Sequence, residues 1–330
     1  MRLHYGALAA AVAGALALPA AAQQPAKSAD VATPVSGVMD GACDGGTLAG
    51  ATGGAWGDTR RGLLESDRAF PGFVGPISNP VLSKDPRSLT EARLLFINDE
   101  LPPDGPLGGG DFQVYAMQLR LALTDRLTLT ADKDGIAHTH FHNAGDHSGL
   151  LNMALGLKYL LVRDVEDQFL WSAGFCYEVP TGERSVLENH GDGVMTAFTT
   201  VGKEVGGAWH VLDTFGYQSG MEGSQNSDFF YNSLHIDRQI AGWLYPLVEV
   251  NWFHYTHGGS RGLPPAVGEG DGLLNLGTSG VAGNDLVTFA VGMKAKLGEH
   301  IETGAAWEFP LSNRHDLIDN RLTVELVLRF

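Results

Sequence analysis

Cysteine is scarce: the 330 residues contain two, Cys43 and Cys176. They could form one bridge or stand as two separate thiols, and they provide no disulfide framework. Positive charge is also sparse, with 22 Lys and Arg against 38 Asp and Glu and a formal net charge of -16. That balance argues against nucleic acid as a partner, because phosphate binding needs a basic surface. After the first two dozen residues there is no uninterrupted apolar run of eighteen or more, so the sequence lacks the signal of helical membrane spans.

The first residues carry Arg2, an apolar stretch from Ala7 to Leu18 and the small residues Ala20, Ala21 and Ala22. This is the pattern of a secretory signal peptide over residues 1–22, with cleavage expected after Ala22. Residues 23–88 are rich in Gly, Ala, Pro and Ser with little periodicity, and we read them as an irregular segment, either periplasmic or lodged in the main domain as a plug. From residue 89 to 330 the apolar residues recur with period two.

In "YAMQLRLAL" the residues Tyr115, Met117, Leu119, Leu121 and Leu123 oppose Gln118 and Arg120. In "LLNMALGLKYLL" the residues Leu151, Met153, Leu155, Leu157, Tyr159 and Leu161 oppose Asn152, Gly156 and Lys158. Both read as strands with one apolar face. About twelve such segments follow one another, longer than the strands of ordinary globular sheets and suited to crossing a bilayer at a tilt. Short turns such as Thr124–Asp125, Gly206–Gly207 and Ile240–Ala241 alternate with longer connections. The longest connection begins at Thr256. Aromatics such as Phe169, Trp171 and Tyr177 gather towards strand ends, as the girdles of a membrane barrel do. Lipid offers backbone NH and C=O groups no partner, so a spanning sheet must close on itself. The expected fold is all-β, a single up-and-down antiparallel transmembrane barrel of about 12 strands over residues 89–330, in the bacterial outer membrane.

The last segment, "NRLTVELVLRF", sets Leu322, Val324, Leu326, Leu328 and Phe330 against Arg321, Thr323, Glu325 and Arg329. This resembles the closing strand through which outer-membrane proteins engage their assembly machinery. Together with "LTDRLTLTADKDG" (Leu123 to Gly135), "LNMALGLKYLL" (Leu151 to Leu161) and "YEVPTGER" (Tyr177 to Arg184), it resembles the outer-membrane barrels of the MetA-pathway of phenol degradation family, over roughly Pro76 to Phe330. The resemblance implies transport of small solutes across the outer membrane, with lipid as surroundings and no cofactor.

Strand parity turns Arg120, Lys158, Glu178, His235, Asp237, Glu249, Lys294, Glu302, Glu308, Arg321 and Glu325 inward. Such residues either pair across a narrow lumen and stiffen it or line a path for a polar or aromatic solute. Twelve strands lie between the barrels that side chains fill and those that leave an aqueous channel, so the expected passage is narrow. The stretch "HTHFHNAGDH" places His138, His140 and His142 at alternate positions, ending at His147. If the third strand continues through it, these three face inward near the outer mouth. They are then either a polar, pH-responsive rim or part of a metal site. Ser219 and Ser224 in an outer loop keep a lipid or lipopolysaccharide hydrolase as the alternative, and a structural or metal-capturing barrel is the third reading.

Overall fold

A computed structural model describes residues 61–221 and 225–330. The expected signal peptide, Cys43, the first part of the 23–88 segment and Ser224 lie outside the described residues. The strands are β1 (Glu91–Leu101), β2 (Gly110–Ala122), β3 (Leu127–Lys133), β4 (Ile136–Phe141), β5 (Gly145–Leu150), β6 (Met153–Asp164) and β7 (Phe169–Val179). They continue with β8 (Val194–Val205), β9 (Trp209–Gly220), β10 (Asp228–Arg238), β11 (Leu244–His257), β12 (Asp285–Lys296), β13 (Ile301–Pro310) and β14 (Asn320–Arg329). All strand pairings are antiparallel, and β1 bonds both β2 and β14, which closes the sheet. Of these fourteen strands, β3 runs on into β4 and β5 into β6, so the barrel has twelve staves.

Closure satisfies the backbone, and the side chains sort by parity. On β14, Leu322, Val324 and Leu326 are 40%, 37% and 37% exposed while Arg321 and Glu325 are 2% and 1% exposed. The apolar face thus points away from the barrel and the charged face into it, the reverse of a water-soluble fold and the arrangement a bilayer demands. Trp171, Phe175, Trp209, Trp243 and Trp307 are among the outward aromatics. Leu151 departs from the expected apolar face. It lies between β5 and β6, is buried, and packs inside with Val186 and Leu276.

The third stave also breaks the expected register. Leu119 pairs with Ala131 and Tyr115 with Ile136, so β2 advances four residues while its partner advances five. The extra residue is a β-bulge at Asp132–Lys133, both buried, where the register against β6 also shifts; just beyond it Gly135 takes φ 111° and a Cβ there would meet the Tyr115 carbonyl at 2.3 Å. The Asp134 carboxylate takes up the Met117 NH at 2.8 Å. Before the bulge Thr128, Thr130 and Asp132 face inward; after it Ala137, Thr139 and Phe141 do. His138, His140 and His142 are therefore exposed on the outer face, not the inner one, because one inserted residue exchanges the two faces of a strand. Nor does the histidine stretch form a loop: β4 and β5 make a hairpin turned at residues 142–144.

Residues 61–90 are irregular, and most of them are held by the interior. Asp67 NH donates to the Ser88 carbonyl at 2.9 Å, so the two ends of the excursion meet. At that end Asp67 pairs with Arg163 at 2.8 Å. Phe70 and Phe73 then pack on Leu160, Leu170 and Leu212, Ile77 on Leu247 and Ala290, and Leu82 on Phe253 and Tyr255. The chain reverses where Ser83 NH donates to the Asn79 carbonyl at 3.0 Å. It returns through Lys84, Asp85 and Arg87 to β1.

Candidate functional site

The eleven inward residues named from parity lie on the inner face, ten of them buried and Glu178 half-buried. Towards the inner end, Arg329 pairs with Glu91 (2.9 Å) and Glu302 (3.4 Å), and Arg120 with Glu91 (2.7 Å). Lys294 bridges Glu302 (2.9 Å) and Glu325, and Glu325 also receives Arg93. Across the barrel, His235 links Glu249 (2.6 Å) to Asp237 (3.0 Å), and Asp237 reaches His210 (2.7 Å). Lys133 holds Glu178 (2.8 Å) and Glu188 (2.7 Å). No charge is left without a counter-charge in these groups, as a low-dielectric interior requires.

Several members escaped the parity reading. Glu91, Arg93 and Asp99 share one face of "EARLLFINDEL" and could have been read from it. Lys133 is turned inward by the bulge, which alternation does not show. Lys84, Glu188 and Asp271 come from irregular segments. Among the two serines considered for hydrolysis, the Ser219 hydroxyl donates to the Gly220 carbonyl at 3.4 Å. Among the described residues no group of three or more His, Cys, Asp or Glu is gathered as a metal site.

The barrel grips the inserted segment mainly through its backbone. Glu249 accepts from the NH groups of Ile77 (2.9 Å) and Ser78 (2.6 Å). Arg93 donates to the Pro76 carbonyl (2.8 Å), Gln118 to Pro80 (2.9 Å) and Lys294 to Gly75 (2.7 Å). Lys158 donates to the carbonyls of Asp85 and Arg87, the latter at 2.7 Å. Lys84 pairs with Asp132 at 3.0 Å. Each of these bonds has a possible replacement in water.

The barrel itself is of a known kind. No known family model matches the sequence, and no curated protein does. The crystal structure of an outer membrane channel from Pseudomonas putida F1 is similar over 78% of this chain and 100% of that one, at 15% identity and a TM-score of 0.56. The KdgM porin (10% identity, 72% of this chain and 99% of that one) and the NanC porin (6%, 73% and 100%) have TM-scores of 0.41 and 0.44. The fold is that of an outer-membrane β-barrel. In such a barrel the short turns lie on the periplasmic side, which places the Asp67–Ser88 junction there and the β4–β5 hairpin outside.

The outer mouth is occupied from the other direction. Residues 267–278, in the connection between β11 and β12, are buried throughout. Val267, Leu273, Leu274 and Leu276 pack with Ile97, Phe112, Val114 and Phe141 on the inner face. Asp271 of this loop joins Asp99 and Glu308 around one guanidinium, that of Arg321, at 3.0, 2.7 and 3.4 Å. Glu269 accepts from Ser227 Oγ (2.6 Å) and the NH groups of Leu276 and Thr278 (both 2.8 Å).

Burial pushes the Glu269 carboxyl up to about 7 and raises Asp271 and Asp316 of the outer loops in the same direction. An acid raised on insertion favours the inserted loop while it is protonated. The stabilisation is full below the ordinary carboxylate range, falls as pH climbs towards 7, and is level beyond. The temperature at which the folded barrel is lost, read from heat-modifiable gel migration after incubation at each pH, is therefore expected to fall between about pH 5 and about pH 8. A flat profile would remove these three acids as its source.

Proposed function

We propose that this protein is an outer-membrane channel for passive passage of small solutes, hydrophobic or aromatic ones among them, and that the inserted segment and the inward loop close it at rest. One observation carries the reading: the inner face is lined by charges of both signs, and they hold the inserted segment through hydrogen bonds to its backbone. A barrel needing only rigidity would gain at least as much from apolar packing, since buried ion pairs add little net stability. A polar lining can be rehydrated once the filling moves aside. The fold similarity to an outer membrane channel supports the same reading.

The same proposal includes export under the signal peptide and assembly through the closing strand. Phe330 is exposed there, and its NH donates to the Thr90 carbonyl at 2.9 Å. The test is reconstitution of folded, heat-modifiable protein in planar bilayers and in liposomes loaded with small aromatic and neutral solutes. Gated current steps and solute efflux above protein-free controls are expected. Absence of both, in protein shown to be folded and inserted, would refute the channel.

A further inference from the structure

The β4–β5 hairpin carries three exposed histidines, His138 and His140 on β4 and His142 at the turn, and each ring is anchored at the same nitrogen. His142 Nδ1 lies 2.9 Å from the Gly108 carbonyl, which can only accept, so Nδ1 bears the proton and Nε2 of the neutral ring is bare. His140 Nδ1 donates to the Asp146 carboxylate, which leaves its Nε2 in the same state. His138 Nδ1 meets Ser148 Oγ at 2.7 Å. A ring that donates one NH to a carbonyl or carboxylate and keeps the other nitrogen bare is how metal-binding histidines are commonly held.

The spacing fits as well. The rings of His140 and His142 have centroids 5.6 Å apart. Two imidazoles sharing one tetrahedral ion, each bonded at about 2 Å, hold their ring centres roughly 5 Å apart. Both residues are exposed, so an ion reaches them from water without opening the barrel. We propose that the β4–β5 hairpin binds one first-row divalent transition metal through Nε2 of His140 and Nε2 of His142, with water completing the coordination. Imidazole nitrogen selects copper(II) ahead of nickel(II) and zinc(II). Calcium and magnesium, which take oxygen ligands, are excluded. The site is separate from the interior and independent of the channel reading.

The experiment is titration of the full chain in detergent micelles with copper(II) and with zinc(II), followed by calorimetry and, for copper, electron paramagnetic resonance. The expected result is one equivalent bound at micromolar metal, with nitrogen hyperfine structure in the copper spectrum. His140→Ala and His142→Ala are each expected to weaken binding at least tenfold, and the double variant to lose the nitrogen signature. Asp146→Asn removes the charge behind His140 and is expected to weaken binding about tenfold while the nitrogen signature survives. His147→Ala binds as the native chain does, because His147 pairs with Thr139 and so lies on the face of the hairpin opposite His140. Unchanged isotherms in the double variant, or an equal response to magnesium, would overturn the site. Since all four residues are exposed outside the barrel, heat-modifiable migration verifies that each variant has folded.

Discussion

A chain in which residues 69–86 are replaced by two glycines is expected to conduct continuously, with a time-averaged current about tenfold or more above that of the native protein. The deletion is tolerable at its ends, because Asp67 and Ser88 are already hydrogen-bonded and Asp67 remains tied to Arg163. What it removes is the filling that touches β1, β2, β3, β6, β7, β8, β9, β11 and β12. Those contacts include Ser172 Oγ to the Pro86 carbonyl (2.6 Å), Thr200 Oγ1 to Lys84 (2.9 Å) and the Lys84 NH to Thr214 Oγ1 (3.0 Å). The barrel's own ion pairs, Arg329–Glu91–Arg120 and Lys294–Glu302, do not depend on the deleted residues and can keep the wall standing. Lys158→Met is the milder companion. It takes away the donor to Asp85 and Arg87 without shortening the chain, and is expected to raise the open probability in the same direction. Native-like current in both, with folded protein, would mean that the segment is not what limits passage.

Arg321→Met is expected to lower stability by about 3 to 5 kcal/mol, the cost of leaving a buried charge cluster without its partner. Arg321 is 2% exposed and is the one guanidinium shared by Asp99, Asp271 and Glu308. Without it three carboxylates face one another in the barrel, and the member that can leave most easily is Asp271, since it sits on a loop and not on a strand. The prediction therefore has two parts. The temperature at which the compact gel band is lost should fall, and the open probability should rise as residues 267–278 withdraw from the mouth. Asp271→Asn in the Arg321→Met background should recover part of both, because it removes one of the repelling charges while keeping the shape. A variant as heat-stable as the native chain would show that these ion pairs contribute nothing measurable.

The barrel itself was legible because lipid and water impose opposite demands on alternate residues. Met117, Leu119 and Leu121 against Gln118 and Arg120, or Leu322 to Leu326 against Arg321 and Glu325, state the two faces of a strand without reference to any partner. The even strand number and the short turns at Gly206–Gly207 and Ile240–Ala241 follow from the same local pattern. The inward placement of Lys158, His235 and Glu249 does too. Their partners do not: that Glu249 meets both His235 and the backbone of Ile77 depends on which strands and segments are brought across the lumen.

Two features were decided by tertiary structure alone. Residues 70–88 show little periodicity because the barrel holds them by backbone groups that every amino acid carries, so their side chains need not advertise the site. The histidines of the β4–β5 hairpin face outward because a single inserted residue at Asp132–Lys133 reverses the strand. "DKDG" signals that a break occurs there, but not whether one residue or two are absorbed. Sequence fixes what alternates along a strand, since alternation is local. How many residues a bulge absorbs, and what fills a closed barrel, are set by contacts between segments far apart in the chain.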